Sequence, residues 1–104
     1  MLKPKAEIMK LHSYIRDNND RIIVNGSIEK YKDVETKGEL VERAIKDGIN
    51  LSNANLEGVN LDNRNLRGGN FQYANLRNAH CEGAYFGNAN LTEADLEKAD
   101  LSNA

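Results

Sequence analysis

From Leu51 to Leu101 an apolar residue returns at every fifth position, a period that belongs to neither a helix nor a strand. The series is Leu51, Leu56, Leu61, Leu66, Phe71, Leu76, Cys81, Phe86, Leu91, Leu96 and Leu101. Two positions before each stands a column of mostly small residues, from Ile49 and Ala54 to Ala94 and Ala99. The repeated word is Ala-Asn-Leu-x-x, and repetition of this kind has to be read before any amphipathic pattern. If each unit makes one side of a coil, two positions point inward and three outward. The bulky centre then fills the interior and the small residue leaves room for it. Asn, which dominates the position between them, tolerates left-handed backbone and bonds its own local peptide groups, so it suits a chain that turns every few residues. Stacked coils would pair their backbone groups about 4.8 Å apart. One unit cannot bury a core alone, so only the stack is stable.

The units Ala54-Asn55-Leu56-Glu57-Gly58, Ala74-Asn75-Leu76-Arg77-Asn78, Ala89-Asn90-Leu91-Thr92-Glu93 and Ala94-Asp95-Leu96-Glu97-Lys98 resemble the pentapeptide-repeat proteins. The resemblance covers residues 49–104. It implies a mainly β fold, a right-handed quadrilateral β-helix with four repeats per coil and just under three coils. It implies no reaction and no cofactor. Known members include mimics of duplex DNA that occupy the DNA site of a bacterial enzyme such as gyrase, and a few are phage inhibitors of CRISPR effector complexes. The partner it implies is therefore a bacterial DNA-binding protein or complex.

Residues 1–48 divide from the repeats as an α+β capping region with the order helix, β-hairpin, helix. Residues 5–17 are expected to be a helix, with Pro4 near its first turn, Ile8, Leu11 and Ile15 along one face, and Asn18-Asn19-Asp20 ending it. Residues 21–24 and 27–32 read as strands flanking Asn25-Gly26, a pair that favours a two-residue hairpin turn. Thr36 with Glu39 forms a capping-box pattern, Leu40, Val41, Ala44 and Ile45 make an apolar stripe, and Gly48 is placed to stop that second helix. An uncovered coil end is a row of unpaired backbone groups, so the region reads either as a cap or as a surface that adds contacts to a partner. At the other end Leu101-Ser102-Asn103-Ala104 carries no cap, so the last coil either frays or meets another molecule, as a monomer bound to a target or as a dimer.

Charge is distributed unevenly. Residues 1–48 carry ten Lys/Arg against nine Asp/Glu, whereas residues 49–104 carry four against seven, so direct nucleic-acid binding, which needs a basic surface, is not expected. Counting in twenties places Asp62, Glu82 and Ser102 on one face with His80 and Asp100 beside them. The neighbouring face stacks Glu57, Arg77 and Glu97 as an alternating ladder, and the final coil concentrates Glu93, Asp95, Glu97 and Asp100 against Lys98. Asn50, Asn70 and Asn90 lie on a third, nearly neutral face with Tyr73 exposed, and Arg67 and Tyr85 on the fourth. The protein-binding candidates are thus Asp62, Glu82, Asp100, Glu97, Asp95, Glu93 and Glu57, carboxylates that imitate phosphates on a rigid rod or, on the plainer reading, a solvated face.

An enzyme is not supported. Cys81 sits at an inward centre as a small apolar filler. His80, its neighbour, points the opposite way, and His12 belongs to the first helix. Two histidines and one cysteine supply no zinc set, and the single cysteine excludes an internal disulfide. No apolar run has the length of a signal or membrane segment, so the chain reads as cytoplasmic. Arg64 is the one departure in the small column, where it either snorkels out through a corner or reaches a carboxylate of the second helix. Just under three coils make a rod roughly 13–14 Å long, spanning only about four base pairs. Gyrase-directed members are longer rods paired end to end through a C-terminal module that does not appear here. The resemblance then points to a phage-type inhibitor, an anti-CRISPR protein acting in the host cytoplasm. A gyrase inhibitor or protector of the quinolone-resistance type, or a scaffold or oligomerisation module, is the alternative.

Overall fold

The computed structural model describes residues 14–104. In the repeats, every unit closes with the same hydrogen bond, from the small residue back to the centre three positions earlier: Ala54 N to Leu51 O at 3.1 Å, and so on to Ala104 N to Leu101 O at 3.0 Å. The last residue of each unit is left-handed, from Asn53 (φ 63°) and Gly58 (φ 70°) to Lys98 (φ 61°) and Asn103 (φ 58°), as the third position of a type II turn requires. The sequence expectation located the left-handed residue at the Asn before each centre, and this is corrected. That Asn is extended and pairs with neighbouring coils, while its side chain does the local bonding. Asn50 Oδ1 accepts from Ser52 N at 2.8 Å, and Asn75 Oδ1 from Arg77 N at 3.0 Å.

Successive coils join through parallel bridges twenty residues apart: Asn55 to Asn75 to Asp95, Asn60 to His80 to Asp100, Asn65 to Tyr85, and Asn70 to Asn90. Leu56 N donates to Asn75 O and Asn75 N to Ala54 O, both at 2.8 Å. The result is a β-helix-like stack. Its interior is the predicted pair of columns: Leu51, Leu56, Leu61, Leu66, Phe71, Leu76 and Cys81 are fully buried, with Ala54, Val59, Ala74, Ala79 and Ala84 between them. At Gly69 a methyl group would meet the Phe71 ring and the tip of Ile45, so a larger residue in this member of the small column would make those side chains shift.

The segment before the repeats differs from its expected order. Residues 5–13 of the expected first helix, and His12 with them, lie outside the described residues. Residues Tyr14–Asp17 form a strand, β1, and not the end of a helix. β1 pairs antiparallel with β2 (Ile22–Asn25) on one side and with β3 (Ala54–Asn55) of the first coil on the other. Two partners satisfy backbone groups of β1 on both edges, and Ile15 and Val24 enter the core together. Tertiary pairing therefore overrides the apparent 3.6 spacing. The hairpin loop is Asn18-Asn19-Asp20, shaped by Asp17, whose Oδ1 accepts from Asn19 N at 2.8 Å and Arg21 N at 2.9 Å.

Asn25-Gly26 is not a hairpin turn. Neither residue has positive φ, which the favoured two-residue turn demands. The expected strand over 27–32 is replaced by a 3₁₀ turn, Glu29–Tyr31. That turn buries Tyr31 and, three residues on, Val34, and the Tyr31 hydroxyl donates to Asp47 Oδ2 at 2.8 Å.

The second helix forms as expected and is α1, Lys37–Lys46. Thr36 caps it by accepting from Glu39 N at 3.1 Å, and Leu40, Val41 and Ala44 are buried. Gly48 (φ 78°) ends it in a Schellman arrangement, with Gly48 N to Ile45 O and Ile49 N to Ala44 O, both at 2.9 Å. α1 lies so close to the first coil that a methyl at Gly38 would collide with the Asn60 carbonyl. The three groups of the first coil that face the N-terminal side thus meet this segment. Asn55 bridges β1, Asn60 meets Gly38, and Asn65 N donates to Glu42 Oε2 at 2.7 Å.

Candidate functional site

The bridge rows define walls, and the wall of Asn60, His80 and Asp100 carries Asp62, Glu82 and Asp100. Asp62 and Glu82 are directly linked, since Asp62 Oδ1 accepts from Glu82 N at 2.8 Å. Asp100 Oδ1 accepts from Ser102 Oγ at 2.6 Å and Ser102 N at 3.0 Å, and these bonds, the hydroxyl first, hold its carboxyl below the usual range. No Lys or Arg stands in the three repeats of this wall, residues 59–63, 79–83 and 99–103.

The neighbouring wall, Asn55, Asn75 and Asp95, is largely neutralised. Arg77 Nη1 lies 3.2 Å from Asp95 Oδ2 and 2.9 Å from Glu97 Oε2. The Asp95 hydrogen bond, followed by the Glu97 charge, raises the Arg77 pKa. Glu57, on the first coil of this wall, is exposed. Glu93 joins neither row. It occupies a left-handed turn position (φ 58°) on the repeat of Asn90. The seven candidate carboxylates are therefore a row of three without an ion pair (Asp62, Glu82 and Asp100), two paired with Arg77 (Asp95 and Glu97), the exposed Glu57 and one corner residue, Glu93.

Asp95 and Asp100 also have a role that comes from the repeat. They stand in the Asn column and do what Asn does, Asp95 Oδ1 accepting from Glu97 N at 3.0 Å. The substitution of Asp for Asn in that column was a visible sign of it. Where His80 breaks the column, the Glu82 N–H turns to Asp62 of the coil before.

Arg64 takes the second of its two expected courses and reaches α1, with Nη1 3.2 Å from Glu42 Oε1. Cys81 is fully buried, and burial, then the Asp62 and Asp100 carboxylates, push its thiol up to about 11, so it stays protonated near neutrality. His80, next to it, is exposed on the opposite side of the backbone. Among the described residues no group of His, Cys, Asp and Glu is arranged to hold a metal ion. No helix among them is long and apolar enough to cross a membrane.

Two grooves flank α1. One, of about 430 Å³, meets the first-coil ends of both acidic walls and is lined by Lys37, Gly38, Glu57, Asn60, Asp62 and Arg64. The other, of about 410 Å³, lies between α1 and Arg67, and sequence reading missed it because its cations come from two distant segments.

A stack of five-residue turns with charged walls, a filled interior and an inert thiol defines a repeat-built β-helix protein whose chemistry lies on its outside. The family model described as pentapeptide repeats (8 copies) matches residues 47–80 and 70–104, and the chain belongs to the pentapeptide-repeat family. Members of this family are generally structural or binding proteins and not enzymes, consistent with a protein-interaction module. Comparison with curated proteins and with solved structures returned no match.

Proposed function

We propose that this chain is a non-enzymatic inhibitor that presents an acidic, DNA-mimicking wall to the DNA-binding surface of a bacterial DNA-handling complex. The carrying observation is the row Asp62, Glu82 and Asp100, which repeats a carboxylate at each coil with no Lys or Arg in its three repeats. In this reading residues 49–104 are a right-handed, four-sided rod, and residues 1–48 are its α+β cap. A rigid rod presents its charges with little entropy lost on binding, and its field steers approach within roughly 8 Å at cellular salt. The family resemblance and the short rod favour a CRISPR effector complex over gyrase, with a phage-type protein acting in the host cytoplasm.

The test uses variants that remove charge and keep shape. Asp62→Asn, Glu82→Gln and Asp100→Asn preserve the acceptors for Glu82 N and for Ser102. Wild type and this triple variant are mixed with purified CRISPR effector complexes and with gyrase, and DNA binding by each is measured. Inhibition of an effector by wild type, lost in the triple variant, supports the reading. Inhibition of gyrase alone transfers it to the quinolone-resistance type. Absence of inhibition in all mixtures, or equal inhibition by the neutral variant, removes it.

A further inference from the structure

The groove between α1 and the fourth wall is cationic, in contrast to the acidic row, and we propose that it is a second docking surface that takes an acidic, extended segment of a protein partner. Arg43 and Lys46, three residues apart on one face of α1, line it from one side, and Arg67 and Asn65 of the first coil from the other. Its one carboxylate, Glu42, has both oxygens engaged, Oε1 with Arg64 and Oε2 with Asn65 N. Among the described residues Arg43, Lys46 and Arg67 form no ion pair, whereas Arg64 and Arg77 are both paired. Three cations with no ion pair among the described residues thus border one groove, Arg43 being also near enough to Asp47 to help lower its carboxyl pKa.

The Arg67 side chain is also held in place. Its Cζ lies 5.2 Å from the centre of the Tyr85 ring, which is 54% exposed. A guanidinium stacked on a ring keeps its fork free, and the fork matches a carboxylate in a two-bond geometry. Ile45, half-buried in the groove, adds an apolar contact for the stem of a Glu or Asp side chain. Tyr and Arg are the residue types that dominate binding energy at protein interfaces.

Charge complementarity selects a peptide over a nucleic acid. A phosphate chain needs a basic surface that continues along it, and residues 49–104 carry four Lys/Arg against seven Asp/Glu, whereas the three cations of this groove suffice for a few acidic side chains within about 410 Å³. The surface is independent of the acidic wall, so either can fail without the other.

The experiment titrates the full chain into a fluorescein-labelled, end-blocked peptide of eight residues rich in Glu, with a Lys-rich peptide and an eight-nucleotide single-stranded DNA as competing probes. Amide shifts in NMR spectra locate the contact. The expected result is saturable binding of the Glu-rich peptide, weakened by salt, with shifts at Arg43, Lys46, Asn65, Arg67 and Tyr85. Binding should fall roughly tenfold or more in the Arg43→Gln, Lys46→Gln, Arg67→Gln variant. Lys46→Gln alone changes an exposed residue of the last helical turn, where only a small dipole interaction is lost and the fold is kept, and it should lose part of the same affinity. Unchanged affinity in these variants, shifts confined to other walls, no binding at low salt, or tighter binding of the Lys-rich peptide or the DNA would overturn the proposal.

Discussion

The segments Ala54-Asn55-Leu56 and Ala89-Asn90-Leu91 have identical letters and different surroundings. Ala54 and Leu56 are completely buried, whereas Ala89 and Leu91 are only half-buried, and Leu101, in the same column, is 41% exposed. The first coil has β1 and α1 on one side and a second coil on the other. Burial in this fold is therefore a property of what stacks on a repeat, and the local turn, which closes identically in both places, is separate from it. The same contrast separates the acidic walls: Arg77 neutralises one, and the other has no such partner on any coil.

The largest test of this contrast is a charge placed at two points of one column. Leu76→Asp buries an unpaired carboxylate in a filled interior and should cost roughly 5 kcal/mol or more, unfolding the chain. Leu101→Asp should cost below about 1 kcal/mol, because much of that side chain already meets water. Denaturant melts of both decide it, and equal losses would mean that the column is uniform after all. Next is Gly38→Ala. In an exposed helix it would stabilise, but against the Asn60 carbonyl it should destabilise by about 1–3 kcal/mol, read as a lower denaturation midpoint.

Glu42→Ala removes both the Arg64 ion pair and the acceptor for Asn65 N. With the pair about one-third exposed, the loss should be about 1 kcal/mol, and Glu42→Gln should recover part of it by still accepting from Asn65. Lys98→Asn places a residue that tolerates left-handed backbone at φ 61° and should gain a few tenths to about 1 kcal/mol in the same melts.

The smallest effect concerns acid. Asp95 and Asp100 have carboxyl pKa values lowered from 3.8 in the folded chain, Asp95 first by the Glu97 N–H and Asp100 first by the Ser102 hydroxyl. A lowered folded pKa stabilises above the unfolded value, and that contribution is lost as pH falls through the folded one. Melting temperature should therefore drop as pH is taken below about 4, and Asp95→Asn with Asp100→Asn should flatten that drop while keeping the turn bonds.

Features resting on short-range chemistry were legible in the sequence. The two inward columns, the twenty-residue stacking that puts Asp62 and Glu82 on one wall, the Thr36 cap and the Gly48 stop all follow from residues a few positions apart or from an unbroken period. The left-handed position was legible too, in Asn53, Gly58, Asn63, Gly68, Asn78 and Gly83, but the Asn of each Ala-Asn-Leu unit obscured it. Asn serves in both places for different reasons, as a hydrogen-bond acceptor in one and as a tolerant backbone in the other.

The sequence by itself determined that the second half of the chain must stack and which side chains fill the stack, because a five-residue period admits one way of burying two columns. Only the tertiary structure decided that residues 14–17 are a strand, that Glu42 answers Arg64, and that Arg43 and Lys46 share a groove with Arg67. Each depends at least in part on a partner twenty or more residues away, which for β1 is β3 of the first coil. Backbone groups at the edge of a coil, and charges on separate segments, leave no mark in local spacing until the chain has closed.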